Sequence, residues 1–243
     1  MSIGRTGHVS TTKIDNVEMN DEKKKFEEYI LFYKNELSNV AISIKTLEVL
    51  TANTEEVYTF YKYCPSFFNA TIYNFWPQCV IGLNECFNGD HFGYKTFFNY
   101  VKANWNKIFT AEWNKTINWS DGTSNVSKIK WAYKDIDSRI SQAQSILNSK
   151  NIIVEKIKTF RDQVFAHVDK NQPNENLNLV ELRQIFTVAE NVFNVVVSLY
   201  NLSESCIEPL NSGDIDSLVY IVNQYDKYHD EIRQIRQNNL FDR

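Results

Sequence analysis

From Phe26 the apolar positions fall at alternating steps of four and three: Phe26, Ile30, Tyr33, Leu37, Val40, Ile44 and Leu47. That spacing keeps one stripe on one side of a helix, and predicts a long amphipathic helix from about Asp15 to Leu50 with a coiled-coil-like seam. Asn53-Thr54-Glu55-Glu56 supplies capping residues at a break, and a short helix follows to Tyr63. Pro65 opens the next helix, where a first-turn proline is tolerated; its line is Phe68, Ile72, Trp76, Cys79, Leu83 and Cys86. Pro77 lies inside that line and predicts a kink or a displaced start. Asn88-Gly89-Asp90 ends the helix by offering residues that accept a left-handed conformation. A further helix carries Tyr94, Phe98, Val101, Trp105 and Ile108.

Periodicity then lapses. Trp113 to Ser127, with Asp121-Gly122 and many Asn and Ser, is read as a loop. Its Trp113 and Trp119 serve either to pin the loop to the core or to stack on bases. Helical spacing returns at Ile129, Tyr133, Ile136, Ile140, Ala143 and Leu147, and again at Ile153, Ile157, Phe160 and Val164. Only Asn148 to Asn151 separates these two segments, a connection suited to an antiparallel pair. Asn171-Gln172-Pro173-Asn174 stops the second. Leu182 to Leu199 forms another helix, Asn211-Ser212-Gly213 breaks it, and Asp214 caps a last helix running to about residue 238. No alternating stretch outcompetes the helical template. The expectation is an all-α protein, an antiparallel helical bundle, with one domain over 15–243 and a loose tail over 1–14.

Composition supports this. Seven Gly and four Pro in 243 residues are too few for a turn-rich β-sandwich. No apolar run approaches the length of a membrane span, and the polar start of the chain lacks a signal-peptide core, so a cytosolic location is expected. Cys64, Cys79, Cys86 and Cys206 form no CxxC pair and lie at no zinc-finger spacing; Cys79 and Cys86, seven apart, share a helical face as buried thiols.

A formal net charge of −4 excludes a generally basic nucleic-acid binder. The charge is uneven, however. Lys150, Lys156, Lys158, Arg161 and Lys170 gather around Arg161-Asp162-Gln163-Val164-Phe165-Ala166-His167. Arg161 and His167 interrupt apolar lines on that segment, where a cation is costly unless paired. His8 falls in the tail, His91 in a turn and His229 in a charged stretch; no HExxH, no paired Glu-x-x-His and no nucleophile elbow exists. Arg161, Asp162 and His167 remain as the candidate catalytic group, with Lys156, Lys158 and Lys170 as candidate RNA contacts. A histidine near its neutral pKa suits proton transfer, an arginine fork suits phosphate oxygens, and Asp162 suits holding either in place. The alternative is an ordinary Arg161–Asp162 ion pair with His167 as a hydrogen-bonded core histidine.

Arg, then Asp, with five residues between that Arg and a His, within RDQVFAHVDK, resembles the motif of the HEPN superfamily of small helical domains, and most closely its abortive-infection, AbiU-type branch. The resemblance covers roughly residues 66–200. It implies a metal-independent endoribonuclease without a cofactor, placed in a toxin–antitoxin or phage-defence setting. It further implies a homodimer with facing motif helices, so that two His meet in one cleft. That would answer the geometry of one straight helix, on which Arg161 and His167 point roughly 120° apart. RNA is the expected substrate, with no DNA cleavage, no membrane partner, and a cognate antitoxin such as a nucleotidyltransferase as a further partner. The rival reading is a non-catalytic helical module that binds a nucleotide or a protein.

Overall fold

The computed structural model describes residues 20–109, 113–118, 124–129, 132–162, 177–201 and 213–241. The tail, His167, Lys170, the stop at 171–174, Trp119 and Cys206 lie outside them.

The seam read from the sequence becomes α1 (Asp21–Leu50), which starts where Asn20 accepts a hydrogen bond from the Lys23 N–H at 2.8 Å. Every seam residue but Ile30 is buried, and Ile30 packs against the same cluster. α2 (Glu55–Tyr63) is capped by Thr54, as expected. α3 (Pro65–Asn88) begins at its proline and continues through Pro77. α4 (Tyr94–Ile108) follows after a short turn. Next come α5 (Tyr133–Ser149), α6 (Asn151–Arg161), α7 (Leu179–Asn201) and α8 (Gly213–Phe241). The described chain is all-α apart from one hairpin. No helix in it is long and apolar enough to cross a membrane.

α1 is the axis of the molecule: α3, α4 and α7 all pack on it. It is therefore part of the main core. α1 and α3 approach closely because Gly82 has no side chain; a Cβ there would lie 2.8 Å from Val40 Cγ2. Aromatic rings fill the space between α1 and α4, with Tyr33 stacked on Tyr94 at 4.6 Å between centroids. At the surface Arg183 clamps Glu48 through two hydrogen bonds of 2.7 and 2.9 Å, tying α7 to α1. A second, smaller cluster forms where Val219, Ile215 and Leu218 of α8 meet Phe60 and Leu50.

Three expectations are corrected. The stretch 113–127 is not a loop: Trp113–Asn118 (β1) and Ser124–Ile129 (β2) pair antiparallel, with Trp113 opposite Ile129 and Asn118 opposite Ser124. Thr116, Ile117, Val126 and Ile129 favour extended backbone, and Asp121-Gly122 lies between the strands. The segment bearing Arg161 does not pair chiefly with 129–147. A single residue, Lys150, separates α5 from α6, too short a link for a hairpin of antiparallel helices, and α6 packs mainly on α3 while α5 packs mainly on α7. Finally, α3 does stop at Gly89, but not by a left-handed cap. Gly89 has φ −59° and ψ 134°, and its need for glycine is steric, since a Cβ would lie 2.5 Å from the Glu85 carbonyl oxygen.

Candidate functional site

α6 and α3 bring their C-terminal ends to the same place. Lys158 and Arg161 occupy the last turn of α6, where the unpaired carbonyls of a helix end favour cations. Opposite them, α3 ends at Asn88 and the chain turns through Gly89, Asp90, His91 and Phe92 into α4. Between the two walls is a cleft of about 450 Å³. Glu85, Asn88 and the turn residues 89–92 line one side, and Lys158 and Arg161 line the other. Its size falls within the range of small-ligand sites, roughly 300–1,000 Å³. A concavity of similar volume on α8, around Tyr225 and Tyr228, lies along one helix and contains no arginine.

Arg161 is held from its own C-terminal side. Its Nε donates to Asp162 Oδ1 at 2.7 Å, and its Nη2 donates to the same oxygen. Asp162 continues the helical backbone, with φ −65° and ψ −38°. Of the candidate catalytic residues, the structure thus joins Arg161 and Asp162, while His167 is outside the described residues.

The two lysines of α6 separate. Lys158 faces the cleft. Lys156 instead donates to Glu181 at 2.6 Å, on the side of α6 turned towards α7. Glu181 also completes the start of α7: its Oε2 accepts from the Asn178 N–H at 2.9 Å, and Asn178 Oδ1 accepts from the Glu181 N–H at 3.0 Å. These hydrogen bonds, the Lys156 ammonium first, hold the Glu181 carboxyl below its ordinary value. Lys156 thus has a structural task that the charge cluster alone did not reveal.

His91 had been set aside as a turn residue, yet it lines the cleft with Arg161. Its turn is braced at several points. Gly89 N–H donates to Glu85 O at 3.1 Å and Gly93 N–H to Gly89 O at 2.8 Å. The Tyr33 hydroxyl, from the buried face of α1, donates to the Phe92 carbonyl, and the Phe92 ring stacks on Phe32 at 4.5 Å. Burial pushes the Tyr33 phenol well above its ordinary value, so it stays a donor. Behind the cleft the fully buried Asn84 accepts from Asn88 Nδ2 at 3.2 Å; its own Nδ2 has no partner among the described residues. A sequence signal for His91 did exist: a turn between two helices whose residues Asn88, Asp90 and His91 are all polar and chemically able.

Two features around the site are structural. Cys79 and Cys86 are buried thiols, as their spacing suggested; burial pushes Cys79 up to about 12 and Cys86 higher still. Among the described residues no three His, Cys, Asp or Glu side chains gather as metal ligands would. Comparison with protein-family models, with curated proteins and with solved structures finds no match to the chain.

Proposed function

We propose that the chain is a HEPN-type endoribonuclease, cleaving RNA without a metal in a cytoplasmic toxin–antitoxin or phage-defence setting. The observation that supports this most is the placement of Arg161: oriented by Asp162, one turn from Lys158, on the wall of a cleft large enough for a nucleotide. A guanidinium there suits the phosphorane, whose extra negative charge its planar fork matches. His167, six residues on in the motif, supplies proton transfer. The attacking group is the ribose 2′-hydroxyl, so the products end in a 2′,3′-cyclic phosphate and a 5′-hydroxyl.

A homodimer belongs to this reading. Ile152 on α6 is 90% exposed and Val180 on α7 is 67% exposed, two apolar side chains that a second copy would cover. A cognate antitoxin, such as a nucleotidyltransferase, would act by masking or modifying the cleft.

The test is cleavage of a mixed RNA pool by the purified protein in EDTA. Wild type should cut RNA and spare DNA, leaving cyclic-phosphate ends, while Arg161→Ala and His167→Ala should be inactive with unchanged helical signal. Arg161→Lys should also be poor, because a point charge lacks the bidentate fork. Intact RNA with wild-type protein would leave the non-catalytic binding module in its place, and full activity in His167→Ala would remove His167 from the catalytic group and overturn the motif-based reading.

A further inference from the structure

We propose that His91 is a proton-transfer residue of the cleft, acting on the phosphodiester held by Arg161 and Lys158. The inference rests on the ribonuclease reading and adds a residue from outside the motif. Attack by a 2′-hydroxyl makes two demands on the protein. One group must take the proton as the 2′-oxygen–phosphorus bond forms. Another must give a proton to the 5′-oxygen as the phosphorus–5′-oxygen bond breaks. No oxidant, reductant or water is consumed. The motif offers one imidazole per chain for these two tasks, and the fold places a second, His91, in the cleft that Arg161 lines.

His91 and Arg161 are seventy residues apart in sequence but line one cavity. The imidazole is exposed, as a group that must meet a polymeric substrate has to be. Its backbone nevertheless belongs to a tight turn. A Cβ at Gly93 would lie 2.5 Å from the Gly89 carbonyl oxygen, so the turn closes only with glycine there. Thr96 Oγ1 donates to the Asp90 carbonyl at 3.3 Å, and Tyr33 fixes the next carbonyl but one. An exposed side chain on a braced support suits proton transfer, which tolerates little error in position. The charged groups that share the cleft with it are Glu85 and Asp90 on its own side, and Lys158 and Arg161 across it.

The experiment compares wild type, His91→Ala, His91→Gln and His167→Ala as full-length protein on RNA in EDTA, with kcat and KM measured across pH. Thermal melts accompany it to confirm that the substitutions leave the fold intact. The expected result is a fall in kcat on the order of 10²–10⁴-fold for both His91 variants, with loss of one limb of the bell-shaped pH profile. A substrate with a p-nitrophenyl leaving group assigns the role. Such a group needs no acid, so it restores His91→Ala if His91 is the acid and does not if His91 is the base. His91 variants that keep the wild-type pH profile, or that raise only KM, overturn this inference and leave the ribonuclease reading standing, provided wild type cuts and His167→Ala does not. Intact RNA with wild type removes both.

Discussion

Tyr33→Phe and Tyr94→Phe together measure how firmly the turn beside the cleft is held. Both rings are fully buried and stack on each other with planes 18° apart, so each substitution keeps the packing and deletes one hydroxyl. The acceptors differ. Tyr94 donates at 2.8 Å to the carbonyl of Ala189, in the middle of α7, whose backbone already belongs to a helical ladder. Tyr33 donates to the carbonyl of Phe92, in the turn outside both helices. Losing the first removes a hydrogen bond worth about 1 kcal/mol; losing the second also strands a half-buried acceptor, for a cost of about 2 kcal/mol. In a domain of this size about 1 kcal/mol moves the melting temperature by about 2–4 °C. Tyr94→Phe should therefore melt about 2–4 °C below wild type, and Tyr33→Phe about 4–8 °C below. Urea titrations should give the same order with an unchanged slope. The opposite order, or a Tyr33→Phe cost under about 0.5 kcal/mol, would show that the tyrosine does not hold the turn.

Two more perturbations test the electrostatics. Burial, and then the charge of Glu85, raise the Glu36 carboxyl above its ordinary value, so the folded state holds that proton more tightly than the unfolded chain. Stability from this group is present below the unfolded value of 4.5 and lost as pH rises through the folded one. Glu36→Gln should thus be more stable than wild type at pH 7, with the gain shrinking as pH falls through the raised folded value and gone below pH 4.5, as read by thermal melts. Lys156→Met keeps the stem's packing and strands Glu181. Glu181 is depressed by its hydrogen bonds, so the pair contributes above the unfolded value of 4.5 and fades as pH falls through the folded one. The variant should lose about 1 kcal/mol at pH 7 and approach wild type in acid. Under the ribonuclease reading, RNA cleavage by this variant, measured well below the melting transition, should be unchanged.

Much of the fold was legible because burial on a helix leaves a period. The seam of α1 names its own buried residues, and Thr54 and Pro65 mark real helix starts. The hairpin was not legible for the opposite reason. Its strands are six residues each and rich in Asn, Ser and Lys, so no apolar face alternates strongly enough to outweigh a loop composition. Asp121-Gly122 between segments that hold Thr116, Ile117 and Val126 was the better signal. Helix pairing was harder still. Ile153, Ile157 and Phe160 announce that α6 buries a face, but not that the face lies on α3, because packing partners are set by the whole bundle. The same limit governed the site. Arg161 and Asp162 stand together in sequence and could be read together. His91 reaches them only through the contact of α3 with α6, which no local pattern encodes.

That contact also explains why cations gather at the cleft at all. Lys158 and Arg161 end α6, and the carbonyl ends of a helix attract positive charge by about 0.3–1 kcal/mol per group. Stability alone would thus keep two cations in that turn. It does not account for what faces them. A helix end has no need of an opposing turn closed by Gly89 and Gly93, fixed by a buried tyrosine 59 residues away in sequence, that displays an imidazole at its tip. Nor does it need a fully buried asparagine that takes up one of its few hydrogen bonds in holding Asn88 at the cleft wall. Burying that amide with Nδ2 unpartnered among the described residues costs about 1–3 kcal/mol, comparable to what the two helix-end cations return. The wall opposite Arg161 thus carries features that the stability of a helix end does not call for, and the chemistry proposed for this cleft would account for them.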